Sequence, residues 1–314
     1  MRWGLIGASG YAAKSCAPGI AESDKAGFAA VLSSDRERAR ELAERYGADV
    51  ATDDMSQFLA TPGLDVVWVA TPTYLHREQT LAILKAGKHV LCEKPLAPSP
   101  EEAWEMVQAA RDRNLVLAVG YQGRYMPGHR AMKALIEAGG IGEVTVARSY
   151  YGVHRPGPPP EWRQHRGSAR WGALADIGTH HVDLLRMLVG EIVEARSLTG
   201  HQLGFETEDV AGAALRFASG AVGTLAVTVN VWRQETRVEV HGTKGVVVAV
   251  DTNPANQGTV TIETGSGVED ITGHRDSPWT AQVDAVTSAA SRETVAYATG
   301  EDGARNVEIL AQLG

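Results

Sequence analysis

Near its start the chain reads Trp3-Gly4-Leu5-Ile6-Gly7-Ala8-Ser9-Gly10-Tyr11-Ala12, the most informative segment for the fold. Its first four residues predict a short buried strand, and a helix is expected from about Ala12. Between them, Gly7-x-Ser9-x-x-Ala12 is a variant of the Gly-x-Gly-x-x-Gly/Ala fingerprint, in which backbone N–H groups at a helix N-terminus meet a pyrophosphate. Ser9 replaces the second glycine, and Gly10 beside it restores room. The stretch therefore predicts a dinucleotide-binding strand, turn and helix.

Alternating strands and helices are predicted as far as residue 119. The run Asp65-Val66-Val67-Trp68-Val69-Ala70 is too continuously apolar for a strand with one wet face, which favours a parallel strand covered on both sides. Strands separated by helices of ten to fifteen residues indicate right-handed βαβ units in a doubly wound sheet. We expect strands at residues 28–32, 65–70, 89–92 and 115–119, and helices at 35–47, 74–86 and 100–113.

The pattern changes after residue 122, where strands come to dominate. It predicts an α+β domain with an open, mostly antiparallel sheet. In residues 222–231 large apolar side chains alternate with small or polar ones, so the second face of this sheet either packs on another subunit or faces water. We expect helices at residues 128–138, 173–189, 280–290 and 302–313, and strands at 144–151, 210–217, 222–231, 236–241, 246–250 and 259–263. The expected domains are therefore 1–122 and 123–314.

Composition limits the class of function. A net charge of −8 argues against nucleic acid and against anionic membrane surfaces, because both select basic patches. No apolar run reaches membrane-spanning length, and no signal peptide precedes the first strand. The two cysteines, Cys16 and Cys92, are too few for a disulfide framework, so we expect a reducing cytoplasm.

The end of the second strand bears on the choice of cofactor. NAD enzymes usually place an Asp or Glu there to bind the ribose 2′-OH. Here the position is Ser33, followed by Ser34, with Arg38 in the next helix. Hydroxyls and an arginine suit a 2′-phosphate, which a carboxylate would repel. Asp35 could serve the ribose if the turn is placed one or two residues later, so the sequence favours NADP and leaves NAD open.

Three residues carry candidate chemistry. Lys94, in Glu93-Lys94-Pro95, ends a predicted strand, and this end of an open α/β sheet faces the crevice where ligands bind. Asp176 and His180 are four residues apart, so on a regular helix both address one bound molecule. A histidine beside a carboxylate can exchange protons near neutral pH.

Two other interpretations of this helix remain open. The histidine could simply be buried and capped, with Asp183 orienting its ring. Alternatively, Asp176, His180, His181 and Asp183 contain enough ligands for a metal ion. Adjacent His180 and His181 project about 100° apart on a helix, which argues against one shared ion.

These motifs together resemble the Gfo/Idh/MocA oxidoreductases. The resemblance rests on Gly7-x-Ser9-x-x-Ala12, Ala70-Thr71-Pro72-x3-His76, Ala86-Gly87-Lys88-His89-Val90-x2-Glu93-Lys94-Pro95 and Gly172-x3-Asp176-x-Gly178-x-His180-x2-Asp183, in order along nearly the whole chain. Gln122 departs from the Asn that many members carry before the arginine of the next segment. The resemblance implies an N-terminal Rossmann domain followed by a substrate-binding and oligomerisation domain.

The resemblance also implies an activity and its residues. Hydride would pass between a nicotinamide, NADP or NAD, and a carbon of a sugar, keto-sugar or polyol, in a homodimer or homotetramer without nucleic-acid or membrane partners. Catalysis would rest on Lys94, Asp176 and His180. Cofactor binding is expected at Gly7, Ala8, Ser9, Gly10, Tyr11, Ala12, Ser33, Ser34, Arg38, Thr71, Pro72, His76, Glu93 and Lys94. Substrate binding is expected at Lys94, Tyr121, Arg124, Trp162, Arg163, Asp176 and His180.

Two other classes of function stay open at this point. One is a non-catalytic nucleotide-binding regulator on the same fold, since a fold does not guarantee activity. The other is a metal-dependent hydrolase or lyase that uses Asp176 and His180. The residues do not indicate which sugar is bound or in which direction the reaction runs.

Overall fold

The structure, a computed structural model, describes residues 1–155, 157–274 and 276–314. Pro156, part of the proline-rich segment, lies outside these residues. The chain forms two compact units: Met1–Gln122 with Ser277–Arg305, and Gly123–Asp276 with Asn306–Gly314. Among the described residues, no helix has both the length and the apolar character that a membrane crossing requires.

The first unit contains a parallel sheet of six strands in the order β3-β2-β1-β4-β5-β6. This order confirms the predicted doubly wound sheet. The sequence analysis missed β3, because three residues carry too little pattern to separate from a loop. The strands are β1 (Arg2–Ile6), β2 (Gly27–Leu32), β3 (Val50–Thr52), β4 (Leu64–Val69), β5 (His89–Cys92) and β6 (Leu117–Val119).

The helices begin and end largely where local signals place them. Asp35 caps the second helix by accepting from the backbone N of Arg38, and Gly47 ends it at φ +72°. The α-helices are α1 (Ala17–Ala21), α2 (Arg36–Tyr46), α3 (Met55–Leu59), α4 (His76–Lys85), α5 (Pro100–Asp112), α6 (Pro127–Glu137), α7 (Arg166–Ala169), α8 (Thr179–Val189), α9 (Pro278–Ala290) and α10 (Gly300–Leu313).

Helix α9 packs with the first unit, although the sequence analysis placed residues 123–314 together. The reason is its apolar face. Val283 and Val286 are fully buried in the core of the parallel sheet, and Trp3 Nε1 donates to Thr287 Oγ1 at 3.0 Å. A run of sequence cannot reveal which sheet such a face will cover.

The second unit contains a sheet of eight strands in the order β14-β13-β12-β11-β7-β10-β9-β8. Only the pair of β7 and β10 is parallel, so the predicted mostly antiparallel sheet is confirmed. The strands are β7 (Val144–His154), β8 (Ile192–Gly200), β9 (Val210–Phe217), β10 (Val222–Thr228), β11 (Asn230–Gly242), β12 (Gly245–Val250), β13 (Thr259–Thr264) and β14 (Gly267–Asp270).

The predicted strand 222–231 is in fact two strands. β10 ends at Thr228 and β11 begins at Asn230, so Val231 belongs to the following strand. The alternation in β10 itself holds, because Leu225 and Val227 are each 1% exposed whereas Thr224 and Ala226 are exposed. One face of the sheet is therefore buried in the core, and the other carries small and polar side chains.

Candidate active site

The glycine turn after β1 leaves room for a ligand to approach the backbone. Gly7 has φ +118°, and a Cβ there would lie 2.7 Å from the carbonyl oxygen of Ala70. Gly10 has φ +51° and no neighbouring atom within 4 Å of its Cβ position. Ser9 is exposed at the same turn, which leads directly into the helical residues Ala12–Cys16. This arrangement fits a pyrophosphate at a helix N-terminus.

Aligned strand ends bring several of the predicted cofactor residues to one edge of the parallel sheet. Ile6 pairs with Val69, and Val69 pairs with Cys92, so β1, β4 and β5 all end at the same level. The residues that follow them there are the glycine turn, the segment Ala70-Thr71-Pro72, and Glu93-Lys94. In open α/β sheets ligands bind at this edge.

Asp35 is already engaged where β2 runs into α2. Its backbone N donates to Ser33 Oγ at 3.2 Å, and its carboxylate accepts from the backbone N of Arg38 at 3.2 Å. Arg38 Nε lies 3.0 Å from the same carboxylate. Ser34 is exposed beside them. Asp35 thus acts as the cap of its own helix, and Ser33 holds the position at the end of the strand.

His76 braces the segments that follow β4 and β5. Its ring nitrogens lie 2.9 Å from the carbonyl oxygen of Thr71 and 3.0 Å from that of Pro95. Burial lowers the pKa of His76, although hydrogen bonds to these backbone groups oppose the shift. The ring is 1% exposed. Its visible role is therefore to fix the segment after β4 to the segment after β5 that contains Lys94.

Lys94 is half-buried directly after β5, and the peptide bond between Lys94 and Pro95 is cis. Glu93 before it is only 6% exposed. Burial raises the pKa of Glu93 to about 7, whereas the charge of Lys94 and hydrogen bonds from its neighbours act in the opposite direction. Tyr121, predicted for the substrate wall, is 1% exposed after β6.

In the second unit, Asp176 and His180 lie on either side of a change in helix geometry. Residues Leu174–Gly178 form a π-helical turn, and α8 begins at Thr179. The prediction of one regular α-helix over 173–189 is therefore corrected. Asp176 belongs to the π-turn and His180 to the first α-turn, and both are half-buried. Single π-turns within helices occur often at functional sites.

Two arginines hold Asp176. The guanidinium groups of Arg155 and Arg163 each hydrogen-bond one of its carboxylate oxygens. Arg163 also lies over the ring of Trp162, 5.0 Å from its centroid. Trp162, Arg163 and Asp176 were predicted to bind substrate, and the structure brings these three together. Such charge-assisted bonds hold a carboxylate in a defined orientation.

Asp183 pairs with Arg124. Arg124 donates from Nε at 2.8 Å and from Nη2 at 2.7 Å to the two carboxylate oxygens, and Asn306 Nδ2 adds a third bond at 2.9 Å. The carboxylate is 2% exposed. These bonds tie Asp183 to Arg124 and Asn306, and its suggested role in orienting the ring of His180 stays a prediction.

His181 is a buried structural histidine. Its Nδ1 hydrogen-bonds Ser149 Oγ, and its ring lies 4.9 Å from that of Tyr151 between centroids. Burial lowers the pKa of His181 to about 3, so the ring stays neutral. Among residues 1–155, 157–274 and 276–314, no group of three or more His, Cys, Asp or Glu is arranged to hold a metal ion.

Glu208 fixes the start of the segment that carries Asp176. Its Oε1 accepts from the backbone N of Gly172 at 2.8 Å and from that of Leu174 at 3.0 Å. The residue is 3% exposed. Burial raises the pKa of Glu208, whereas the hydrogen bonds from these N–H groups stabilise the charged carboxylate and so act to lower the pKa. The carboxylate thus satisfies donors at a helix N-terminus that would otherwise be orphaned.

Three further residues belong to this site although no sequence pattern singled them out: Tyr151, Arg155 and Glu208. Burial raises the pKa of Tyr151 to about 12, with the charge of Asp176 acting in the same direction and Arg155 opposing it, so its hydroxyl remains a donor. Tyr151 resembled any other strand tyrosine, and the basic segment after residue 153 offered several arginines. Only the folded chain shows which of them reaches Asp176.

Fold and site together define a two-unit protein with a dinucleotide-type sheet. Residues 1–121 match the family model described as "Oxidoreductase family, NAD-binding Rossmann fold", and residues 129–248 match the GFO/IDH/MocA C-terminal domain. The 1,5-anhydro-D-fructose reductase of Ensifer adhaerens is 34% identical over 306 residues, covering 96% of this chain and 92% of that protein. The myo-inositol 2-dehydrogenase of Thermotoga maritima is 31% identical, covering 79% and 75% of the two chains.

Solved structures agree with these matches. A levoglucosan dehydrogenase in complex with NADH and levoglucosan superposes with a TM-score of 0.90 at 26% identity, covering 100% of this chain and 96% of that one. The aldose-aldose oxidoreductase of Caulobacter crescentus also gives 0.90 at 26% identity, covering 99% and 95%. This chain belongs to the Gfo/Idh/MocA family of oxidoreductases. It is an NAD(P)-dependent enzyme.

Proposed function

We propose that this enzyme transfers hydride between NADP and a carbon of a sugar, keto-sugar or polyol. The observation that carries the proposal is the common level at which β1, β4 and β5 end, since Lys94 and the glycine turn then lie on the same ligand edge of the sheet, with the end of β4 between them. Two relatives that align over most of the chain are named as a 1,5-anhydro-D-fructose reductase and a myo-inositol 2-dehydrogenase, which supports a sugar or polyol substrate.

Each proposed catalytic residue has a distinct role. When bound, the nicotinamide supplies or accepts the hydride. In the reductive direction the carbonyl oxygen becomes negative as hydride reaches its carbon, and the ammonium of Lys94 stabilises that charge. His180 donates the proton that completes the hydroxyl. Asp176, oriented by Arg155 and Arg163, accepts hydrogen bonds from substrate hydroxyls. Oxidation of an alcohol reverses each step.

The preference for NADP follows from the end of β2. Ser33 offers a hydroxyl where an NAD enzyme has an acid, and Arg38 stands one turn into α2. Asp35 caps that helix and pairs with Arg38. A 2′-phosphate at this position would compete with Asp35 for the guanidinium and gain a charge-assisted bond.

A substrate screen tests the proposal. Oxidation of NADPH and of NADH is followed with a panel of keto-sugars and anhydro-sugars, and the reverse reaction with sugars, polyols and sugar acids. We expect turnover with at least one carbonyl sugar and a higher kcat/KM with NADPH. Tight NADPH binding without turnover on any compound would instead support a nucleotide-binding regulator. Stoichiometric zinc or manganese with hydrolase activity would contradict the proposal.

We further propose that the enzyme is a homodimer or homotetramer joined through the exposed face of the eight-stranded sheet. In this face Ala226 pairs with Gly212 on one side and Tyr150 on the other, and Thr224 pairs with Ala214 and Arg148. A second sheet can cover the flat patch of small residues here, Gly212, Ala214, Thr224 and Ala226, which the larger Arg148 and Tyr150 border. In the same proposal residues 123–314 provide substrate binding and assembly.

A reducing compartment, the cytoplasm, is the proposed location. Cys16 and Cys92 are both buried free thiols. Burial raises the pKa of each thiol, which keeps it in the unreactive protonated form.

A further inference from the structure

Helix α9 lies against the helical segment that begins at the glycine turn. Val283 and Val286 of α9 are fully buried in the same core cluster as Cys16. A Cβ at Gly19 in α1 would lie 2.9 Å from the Cβ of Trp279, so the two helices approach closely and leave no room for a larger residue there. Apolar packing therefore holds the first turn of α9 in a defined place beside α1.

Polar side chains add contacts between the same two parts of the chain. Thr280 Oγ1 donates to Glu22 Oε2 at 3.3 Å, just after α1, and Lys25 Nζ donates to Ser288 Oγ at 2.8 Å. None of these groups belongs to the glycine turn. The position of α9 is therefore fixed by contacts that do not depend on the conformation of that turn.

Trp279 extends the contact from α9 to the glycine turn itself. Its Nε1 donates to the hydroxyl of Tyr11 at 2.9 Å, across 268 positions of sequence. Tyr11 directly follows Gly10, which has φ +51° and no atom within 4 Å of its Cβ position. Tyr11 is 40% exposed and Trp279 is half-buried. The bond thus anchors the residue next to an open part of the turn, and its partly exposed groups add little to a core that α9 already completes.

We propose that Trp279 is a positioning residue for the dinucleotide, which holds the glycine turn, through Tyr11, in the conformation that receives the pyrophosphate. The proposal rests on the proposed function, because it requires this turn to bind the cofactor. A turn that is already ordered loses less conformational freedom on binding, so the affinity is higher. NADPH and NADH share the pyrophosphate, and the bond should therefore strengthen the binding of both equally. Hydride transfer from the bound cofactor should not depend on it.

A double-mutant cycle on this hydrogen bond tests the proposal. Trp279→Phe removes the donor and keeps an aromatic ring, and Tyr11→Phe removes the acceptor. The emission of the reduced nicotinamide gives the Kd of NADPH and of NADH, and single turnover at saturating NADPH gives the rate of hydride transfer. We expect each variant to bind both nucleotides about 5-fold more weakly, the scale of one hydrogen bond. The double variant should bind no more weakly than either single variant, because each loses the same bond.

Three further readouts separate positioning from a merely structural role. The ratio of the two Kd values, the single-turnover rate and the midpoint of urea unfolding should all stay as in the wild type. Trp104→Phe, at a half-buried position in α5, is the matched control and should change none of the measurements. Tyr11→Phe keeps the test usable if Trp279→Phe folds poorly.

Several results would overturn the inference. Unchanged affinity in either single variant, or weakening factors that multiply in the double variant, would show that the bond does not position the turn. A lower urea midpoint with the weaker binding would assign Trp279 to the stability of the fold instead. Each of these results leaves the proposed function intact as long as the wild type binds NADPH and reduces a sugar. A wild type that binds neither nucleotide would overturn the proposed function and this inference with it.

Discussion

At the scale of a single residue, we expect Ser33 to set the preference between NADP and NAD. Ser33→Asp places a carboxylate at the end of β2, where it would repel a 2′-phosphate and bind a ribose hydroxyl. We expect the ratio of kcat/KM for NADPH to that for NADH to fall at least tenfold, which corresponds to about 1.4 kcal/mol. Ser56→Asp on exposed α3 is the control. A ratio that does not move, or a wild type that binds NADH tenfold more tightly than NADPH, contradicts the assignment.

Two buried histidines make the fold sensitive to acid. Burial lowers the pKa of His129 to about 4 and that of His181 to about 3, against 6.5 in an accessible histidine. Between the lowered pKa values of the folded chain and 6.5 in the unfolded chain, the unfolded chain binds protons that the folded chain does not. The free energy of unfolding therefore falls as the pH drops from about 6.5 towards 4. Each such proton contributes about 1.4 kcal/mol per pH unit. Urea unfolding at several pH values measures the slope.

The carboxyl group of Glu93 changes the stability of the fold with pH in the opposite direction. Its pKa is raised from 4.5 to about 7, so its contribution to stability is greatest below about 4.5 and is lost as the pH rises through 7. His76, whose pKa burial also lowers, acts with His129 and His181, while Glu208, whose pKa burial also raises, acts with Glu93, so we expect the net slope to keep its direction between pH 4.5 and 6.5. His181→Asn should flatten that slope, whereas His154→Asn, at an exposed position, should not. Equal slopes in both variants would contradict the assignment to His181.

At the scale of elements, Glu208 links stability to the geometry of the candidate site. Glu208→Ala leaves the backbone N–H groups of Gly172 and Leu174 without an acceptor, which costs about 1–3 kcal/mol. We expect a lower free energy of unfolding together with a lower kcat, because the π-turn that carries Asp176 loses its anchor. Glu208→Gln keeps one side-chain oxygen as an acceptor, so it should retain more of the free energy of unfolding and more of kcat than Glu208→Ala. Glu143→Ala on the surface serves as control. Full activity in Glu208→Ala would show that the anchor is dispensable.

The elements also show what the sequence could and could not predict. The caps Asp35 and Gly47 and the continuously apolar β4 carry their signals within a few neighbouring residues, so the parallel sheet was predictable. The pairing of Asp183 with Arg124 was not predictable, because the two residues lie 59 positions apart along the chain. The π-turn at Asp176 was equally hidden, since a four-residue spacing looks the same in either kind of helix. Contacts distant in sequence, such as that of α9 with Trp3, need the folded chain.

At the scale of the whole molecule, the exposed face of the eight-stranded sheet should be an interface between subunits. Light scattering at micromolar concentration is expected to give a dimer or tetramer. Ala226→Arg puts a charged side chain into the flat patch and should shift the protein towards the monomer. Ala138→Arg, at the exposed end of α6, is the matched control and should leave assembly unchanged. A monomeric wild-type protein would rule out this interface.

The proposed hydride transfer between NADP and a sugar depends most directly on Lys94. The most direct measurement is the single-turnover rate of hydride transfer in Lys94→Ala, with NADPH affinity measured in the same preparation and Lys85→Ala, in the last turn of α4, as control. We predict that the rate falls by about 100-fold or more, the usual scale for a lost group that stabilises charge on oxygen, with NADPH affinity almost unchanged. A rate within twofold of the wild type would contradict the catalytic role of Lys94.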